Sequence, residues 1–195
     1  MIAGARIFHF GSLSLTGEPV RSTTQKAVAL ARAAGCILSF DPNLRPPLWD
    51  DLEQAREQIH WGLAQCDVAK ISDDELLFLT GGTDFDAGAA KLMEQFPNLQ
   101  MVNVTAGAQG SISYYQGVRV FQPGVTLGGV IETTGAGDTF CACVLNFLLE
   151  HGLEHLTADD LTQMLRFANA AAYLVTTRRG AIRSMPEPEQ VLALL

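Results

Sequence analysis

A chain of 195 residues with 48% hydrophobic and 17% charged positions can bury a sizeable core, and one globular domain is the economical expectation. Its formal net charge of −8 argues against nucleic acid or an anionic membrane as partner and favours a small-molecule ligand. No signal-peptide pattern opens the chain and no apolar run of about 18 residues follows, so a soluble protein is expected. In chain order, "RIFHFG" (6–11) predicts a strand, and 19–35 predicts a helix with proline near its start and glycine after its end. "CILSF" is the next strand, then the loop "DPNLRPPLWD", a helix over 52–63, the strand "DVAKI" and a short helix opening at Ser72. A helix over 87–95, the strand "MVNVT", a hairpin "SISYYQGVRVF" and a glycine loop with a preceding strand and a long following helix complete the second cycle. The tail predicts a helix over 158–174, the turn "TTRRGAIRSMP" and a last helix from Glu187. This alternation predicts an α/β fold, a largely parallel sheet flanked by helices with a late antiparallel addition.

Cys36, Cys66, Cys141 and Cys143 lack C-x-x-C spacing and lie in or beside apolar runs, which reads as buried thiols in a reducing, cytoplasmic setting. His9, His60, His151 and His155 are scattered without a zinc-ligand pattern. The strongest motif is "ETTGAGDTF" (132–140): small residues at Gly135, Ala136 and Gly137, a helix N-terminus and Asp138 in the first helical turn. That layout suits an anion, and a carboxylate beside an anion calls for a reaction or a metal ion. Asp138 also has a plainer explanation as a helix-dipole partner contributing about 0.3–1 kcal/mol. "VTAGAQGS" (104–111) brings Thr105, Gly107 and Gly110 to a second strand end, where they suit either a nucleotide's phosphates or a tight turn feeding the hairpin. "DPNLRPPLW" supplies Asp41, Asn43 and Arg45, with Arg45 directed to a substrate oxygen or simply paired with Asp41. Ser72 and Glu75 have capping-box spacing, a structural role with a metal-water role as the rival for Glu75. The loops at 41–45, 105–110 and 132–138 are expected on one rim of the sheet.

These residues carry a family resemblance. "ETTGAGDTF" is similar to the C-terminal signature of the ribokinase/PfkB family of carbohydrate kinases, and residues 8–49 look most like the family's bacterial fructokinases. "KISDDELLFLTG", "VTAGAQGS" and "FANAAAYLVTTRRGAIRSMP" follow in the family's order. The resemblance implies a ribokinase-like fold and ATP-dependent phosphorylation of a sugar hydroxyl, with the 6-hydroxyl of fructose as the expected acceptor. It implies Asp138 as general base and substrate contact, and the backbone of Gly135, Ala136 and Gly137 as anion hole. Arg45 falls on a substrate-binding arginine. Ser72, Thr105, Gly107, Gly110 and Gly137 fall on nucleotide contacts, with Asn169 near the adenine. Glu75 inherits an influence on the Mg²⁺ shell, and Glu132, Thr134, Gly180 and Ser184 align with a monovalent-cation loop that suits K⁺. Ser72 stands where the family usually has asparagine, and Glu132 where it commonly has aspartate. The family's front segment, with its lid and sugar-gripping residues, has no counterpart before "ARIFHFG", so residues 1–195 are expected to be the C-terminal portion of the fold, N-terminally truncated. A homodimer is implied for the full-length form. Two alternatives stand beside the fructokinase reading: a catalytically inactive nucleotide-binding module, and a kinase for ribose, a nucleoside or 2-keto-3-deoxygluconate.

Overall fold

The computed structural model describes residues 2–195 and has an α/β fold. Six strands form a mostly parallel sheet in sequence order: β1 (Ile7–Gly11), β2 (Ile37–Asp41), β3 (Val68–Ser72), β4 (Met101–Thr105), β5 (Gly110–Tyr115) and β6 (Val118–Pro123). Among the described residues seven α-helices accompany them: α1 (Val20–Ala33), α2 (Leu52–Gln65), α3 (Asp73–Thr80), α4 (Phe85–Gln95), α5 (Ala136–His151), α6 (Ala158–Thr176) and α7 (Pro188–Leu192). Among the described residues no helix is long and apolar enough to cross a membrane. The chain divides into two compact units, one ending at Val104 and the other running from Thr105 to Leu195.

In the first unit β1 pairs β2 and β2 pairs β3, both in parallel, as the strand-helix alternation predicts. Leu38, Phe40, Val68, Ala69 and Ile71 are buried, which accounts for strands that read as continuous apolar runs. Helix boundaries follow from local chemistry. Asp51 accepts the Glu53 N–H at the start of α2, Asp84 accepts the Ala87 N–H at the start of α4, and Ser72 with Glu75 closes a full capping box on α3. Arg32, in the last turn of α1, pairs with Asp67 at 2.8 Å, and the other Asp67 oxygen accepts the Leu38 N–H at 2.7 Å, so one carboxylate ties a helix to a strand.

The second unit opens with a hairpin. β5 and β6 are antiparallel, with Tyr115 opposite Val118. Gln116 and Gly117 between them both have positive φ, the backbone that matches a two-residue turn to strand twist. Helix α6 packs against both strands and against α5, and Thr157 with Asp160 caps it reciprocally. One expectation fails here: the glycine loop has no preceding strand. Residues 124–133 are irregular, because Gly128 and Gly129 have positive φ and the N–H groups of Ile131 and Glu132 donate to the Thr176 carbonyl at the end of α6. With their donors spent on a helix terminus, the β-branched residues there join no ladder. Among the described residues no cysteine forms a disulfide, and burial raises the thiol pKa of Cys66 and takes that of Cys143 to about 11.

Helix α2 approaches β2 so closely that a Cβ on Gly62 would lie 2.5 Å from the tip of the Phe40 ring, which is itself fully buried. Gly62→Ala is therefore expected to lower stability: overpacking costs about 1–3 kcal/mol, and the better helix propensity of alanine returns only about 1 kcal/mol. A denaturant titration checks this, and an unchanged or higher midpoint would show that the ring yields freely.

Candidate functional site

The second unit contains a cavity of about 270 Å³, near the lower end of the roughly 300–1,000 Å³ typical of small-molecule sites. Thr105, Gly107 and Gly110 line it from the β4–β5 connection, Ala136, Gly137 and Phe140 from the start of α5, and Val125, Val130 and Thr133 from the irregular segment. Asn169, Ala172, Tyr173 and Thr176 line it from α6. Their spacing, i, i+3, i+4, i+7, is one face of a helix. Five of the residues expected to contact a nucleotide, Thr105, Gly107, Gly110, Gly137 and Asn169, thus meet around one space, while Ser72 belongs to the first unit. Two of the five also have purely structural reasons. A Cβ on Gly110 would come within 2.2 Å of the Gln122 carbonyl oxygen and 2.5 Å of the Gly124 nitrogen, with φ at +113°, so the turn itself demands glycine. The Asn169 side chain is fully engaged: its Oδ1 accepts the Ser111 hydroxyl at 2.8 Å, and its Nδ2 donates to the carbonyls of Gln122 at 3.0 Å and Pro123 at 3.3 Å. It therefore shapes the cavity as a brace between α6 and the hairpin.

At the glycine loop, Gly135 occupies the N-cap of α5 with φ +85°, and a Cβ there would press on Ala181 at 3.1 Å. The Ala136 N–H donates to the Thr133 carbonyl at 3.2 Å, and the Thr139 N–H to that of Gly135 at 2.8 Å. Gly137 and Asp138 follow at the second and third helical positions, where N–H groups lack an intrahelical acceptor. Asp138 is exposed and lies outside the cavity lining, one residue past Gly137, which lies within it. The helix start therefore presents donors to the cavity and a carboxylate beside it.

Behind this loop the four residues assigned to a cation are brought together. Glu132 accepts the Gly180 N–H at 3.1 Å and a hydrogen bond from the Thr134 side chain; the latter first, then the former, hold its carboxyl below the usual carboxylate range. The Ser184 hydroxyl donates to the carbonyls of Gly180 and Ala181. The set is all oxygen with one acid, a chemistry that fits a hard cation.

In the first unit, the loop after β2 is held by buried charge. Asp41 accepts the Asn43 N–H at 3.1 Å and pairs with Lys70 on β3 at 3.3 Å; Asp41 and Lys70 are both buried. Glu75, also buried, accepts the Leu44 N–H at 2.8 Å through one oxygen and the Ser72 N–H at 2.8 Å through the other. Asp41 pairs with Lys70 in place of Arg45, contrary to the simpler reading of that loop: Arg45 is exposed and donates to the Leu44 carbonyl at 3.1 Å. Burial first of all pushes the Asp41 carboxyl up to about 6, with Lys70 acting downward and Glu75 upward.

Sequence reasoning passed over Lys70, although a lysine inside the apolar strand "DVAKI" must find a partner if that strand is buried. It also passed over the apolar cavity wall. Stepping along α6 from Asn169 by helical spacing reaches Ala172, Tyr173 and Thr176; Val125 and Val130, on irregular backbone, offer no such period.

Comparison with known proteins places this architecture. Residues 2–188 match the model of the pfkB family carbohydrate kinases, and the chain belongs to that family. It is 41% identical over 197 aligned positions to probable fructokinase-2 of Arabidopsis thaliana, covering 100% of this chain and 59% of that protein. It is 40% identical over 193 positions to putative fructokinase-8 of the same plant, covering 98% of this chain and 90% of that one. Among solved structures, fructokinase with bound ATP from Xylella fastidiosa superposes with a TM-score of 0.88 at 31% identity, covering 99% of this chain and 62% of that one. Fructokinase from Vibrio cholerae O395 in its fructose, ADP and calcium-bound form gives 0.86 at 30%, covering 97% and 60%. The chain spans about three fifths of the length of most of these relatives.

The buried pair makes a pH-dependent prediction. Because the folded-state pKa of Asp41 lies above its ordinary 3.8, ionised Asp41 costs stability, and the cost appears as pH rises from about 4 through about 6. Lys70→Met removes the charge that limits this cost. The variant is expected to lose about 3–5 kcal/mol near pH 8, with the loss shrinking as the pH falls and Asp41 takes up a proton. Urea titrations of both proteins across pH 5 to 8 measure it; a loss independent of pH would mean that Lys70 does not act through the Asp41 charge.

Proposed function

We propose that the protein transfers the γ-phosphoryl group of ATP to a sugar hydroxyl, the 6-hydroxyl of fructose in the first instance. The observation that carries this reading is the start of α5, where Gly137 lines a nucleoside-sized cavity and the exposed Asp138 carboxylate follows in the same helical turn. Apolar walls from Val125, Val130, Phe140 and Ala172 suit a base, and helix-start N–H groups suit phosphate oxygens. ATP supplies the phosphoryl group and Mg²⁺ neutralises its charge. Asp138 accepts the hydroxyl proton as the new bond from oxygen to phosphorus forms and the bond to the leaving phosphate oxygen breaks. The anion hole is assigned to the backbone of Gly135, Ala136 and Gly137. Since the Ala136 N–H already has an acceptor in Thr133, the N–H groups of Gly135 and Gly137 carry this role, and of these two only Gly137 lines the cavity.

Arg45 is assigned to a substrate or phosphate oxygen, a role its exposed guanidinium suits. Ser72 and Glu75 are assigned to the nucleotide and its Mg²⁺. Both Glu75 oxygens accept backbone N–H groups, so its part in the metal shell is indirect, through water. Glu132, Thr134, Gly180 and Ser184 are assigned to a monovalent cation that steadies the glycine loop. Fructose is favoured over ribose, a nucleoside or 2-keto-3-deoxygluconate because fructokinases are prominent among the relatives. A second reading has its own support: the whole cavity lining comes from residues beyond Val104, so nucleotide binding without turnover is compatible with this unit alone.

Asp138→Asn separates the two. It is expected to lower fructose-dependent ADP release by about 10²- to 10⁴-fold while leaving ATP affinity nearly unchanged. Turnover at the wild-type rate in the variant removes Asp138 from the mechanism, and wild-type protein that binds ATP without releasing ADP supports the binding module.

A further inference from the structure

The cavity has one wall that packing holds only at Val125, which lies against the Ala170, Ala171 and Val191 cluster. Residues 124–133 contribute Val125, Val130 and Thr133 to the lining, yet they belong to no helix or strand. Their large apolar side chains are mostly in solvent: Leu127 is 71% exposed, Val130 57% and Ile131 59%. With so little apolar burial, the position of this backbone depends on hydrogen bonds.

Those bonds come largely from α6. Asn169 reaches the Gln122 and Pro123 carbonyls, the Tyr173 hydroxyl donates to the Gly128 carbonyl at 2.6 Å, and the Thr176 carbonyl accepts from Ile131 at 2.8 Å and Glu132 at 3.2 Å. The helical face that lines the cavity thus also grips the opposite wall at its entry, its middle and its exit. The middle grip falls at two successive glycines with φ of +80° and +76°, where no side chain is present to pack. Tyr173 lines the cavity as well, so its ring and its hydroxyl join the fixed wall to the loose one.

We propose that Tyr173 is a positioning residue for the nucleoside end of the bound nucleotide, its hydroxyl holding the Gly128 carbonyl and with it the exposed Val130 part of the wall at the right distance from α6. The inference rests on the nucleotide reading given above and adds to it which side chain sets the fit of base and ribose. The phosphate end is formed by the helix start at Gly137 and does not depend on this bond.

Tyr173→Phe keeps the ring and removes only the donor. Hydrogen exchange in the ligand-free protein should show faster exchange at the amides of residues 127–132 and unchanged exchange in the core strands. Adenosine and ATP should each bind about three- to tenfold more weakly, the range for one neutral hydrogen bond, while tripolyphosphate, which carries no nucleoside, keeps its affinity. Unchanged exchange at 127–132 overturns the pinning, and an equal loss for tripolyphosphate overturns the assignment to the nucleoside end. Wild-type protein that binds neither adenosine nor ATP defeats the nucleotide reading and this inference with it, whereas binding that Tyr173→Phe leaves intact defeats the inference alone.

Discussion

Backbone hydrogen bonding is the constraint on which the site depends. Irregular loops must still find partners for their backbone groups, and here the partners are side chains and helix ends outside the loops. In the second unit, α6 supplies them through Asn169, Tyr173 and the Thr176 carbonyl. In the first, two buried carboxylates do so, Asp41 for the Asn43 N–H and Glu75 for that of Leu44. The loops are irregular in outline but specified almost group by group.

The two solutions differ in cost. Helix-end carbonyls and amides are neutral and need only the right spacing on one helix face. Buried carboxylates must be desolvated, and Asp41 shows the strain of this in its raised pKa even with Lys70 beside it. An ion pair of this kind contributes little net stability compared with apolar packing, but it is costly to break. The same Asp41 carboxylate accepts the Asn43 N–H, which ties the pair to the start of the loop that carries Arg45.

The sequence made the periodic elements legible: strands with both faces buried, helices with caps at Asp51, Ser72 and Thr157, and the Gln116–Gly117 hairpin all carry short-range signals. The glycine loop was legible as a helix start next to a ligand space for the same reason. What escaped was non-local. The β-branched run before the loop reads as a strand, and the left-handed glycines ahead of it together with the distant Thr176 carbonyl make it otherwise. Lys70 and Asp41, 29 residues apart, show no pattern until the sheet brings them together. The family resemblance covers part of that gap because it carries non-local arrangement in its motifs, and this chain's membership of the family agrees with it.

The contact between Gly62 and Phe40 has a consequence for how such a sheet and helix drift over time. The ring tip occupies the volume that any side chain at 62 would need. The two positions therefore share one allotment of space, and neither is free to change by itself. A leucine or valine at 40 would open room that a small side chain at 62 could fill, whereas an aromatic at 40 makes any side chain at 62 costly. Paired replacement at these two sites, 22 residues apart in the chain, is the pattern that neutral divergence would leave in this part of the core.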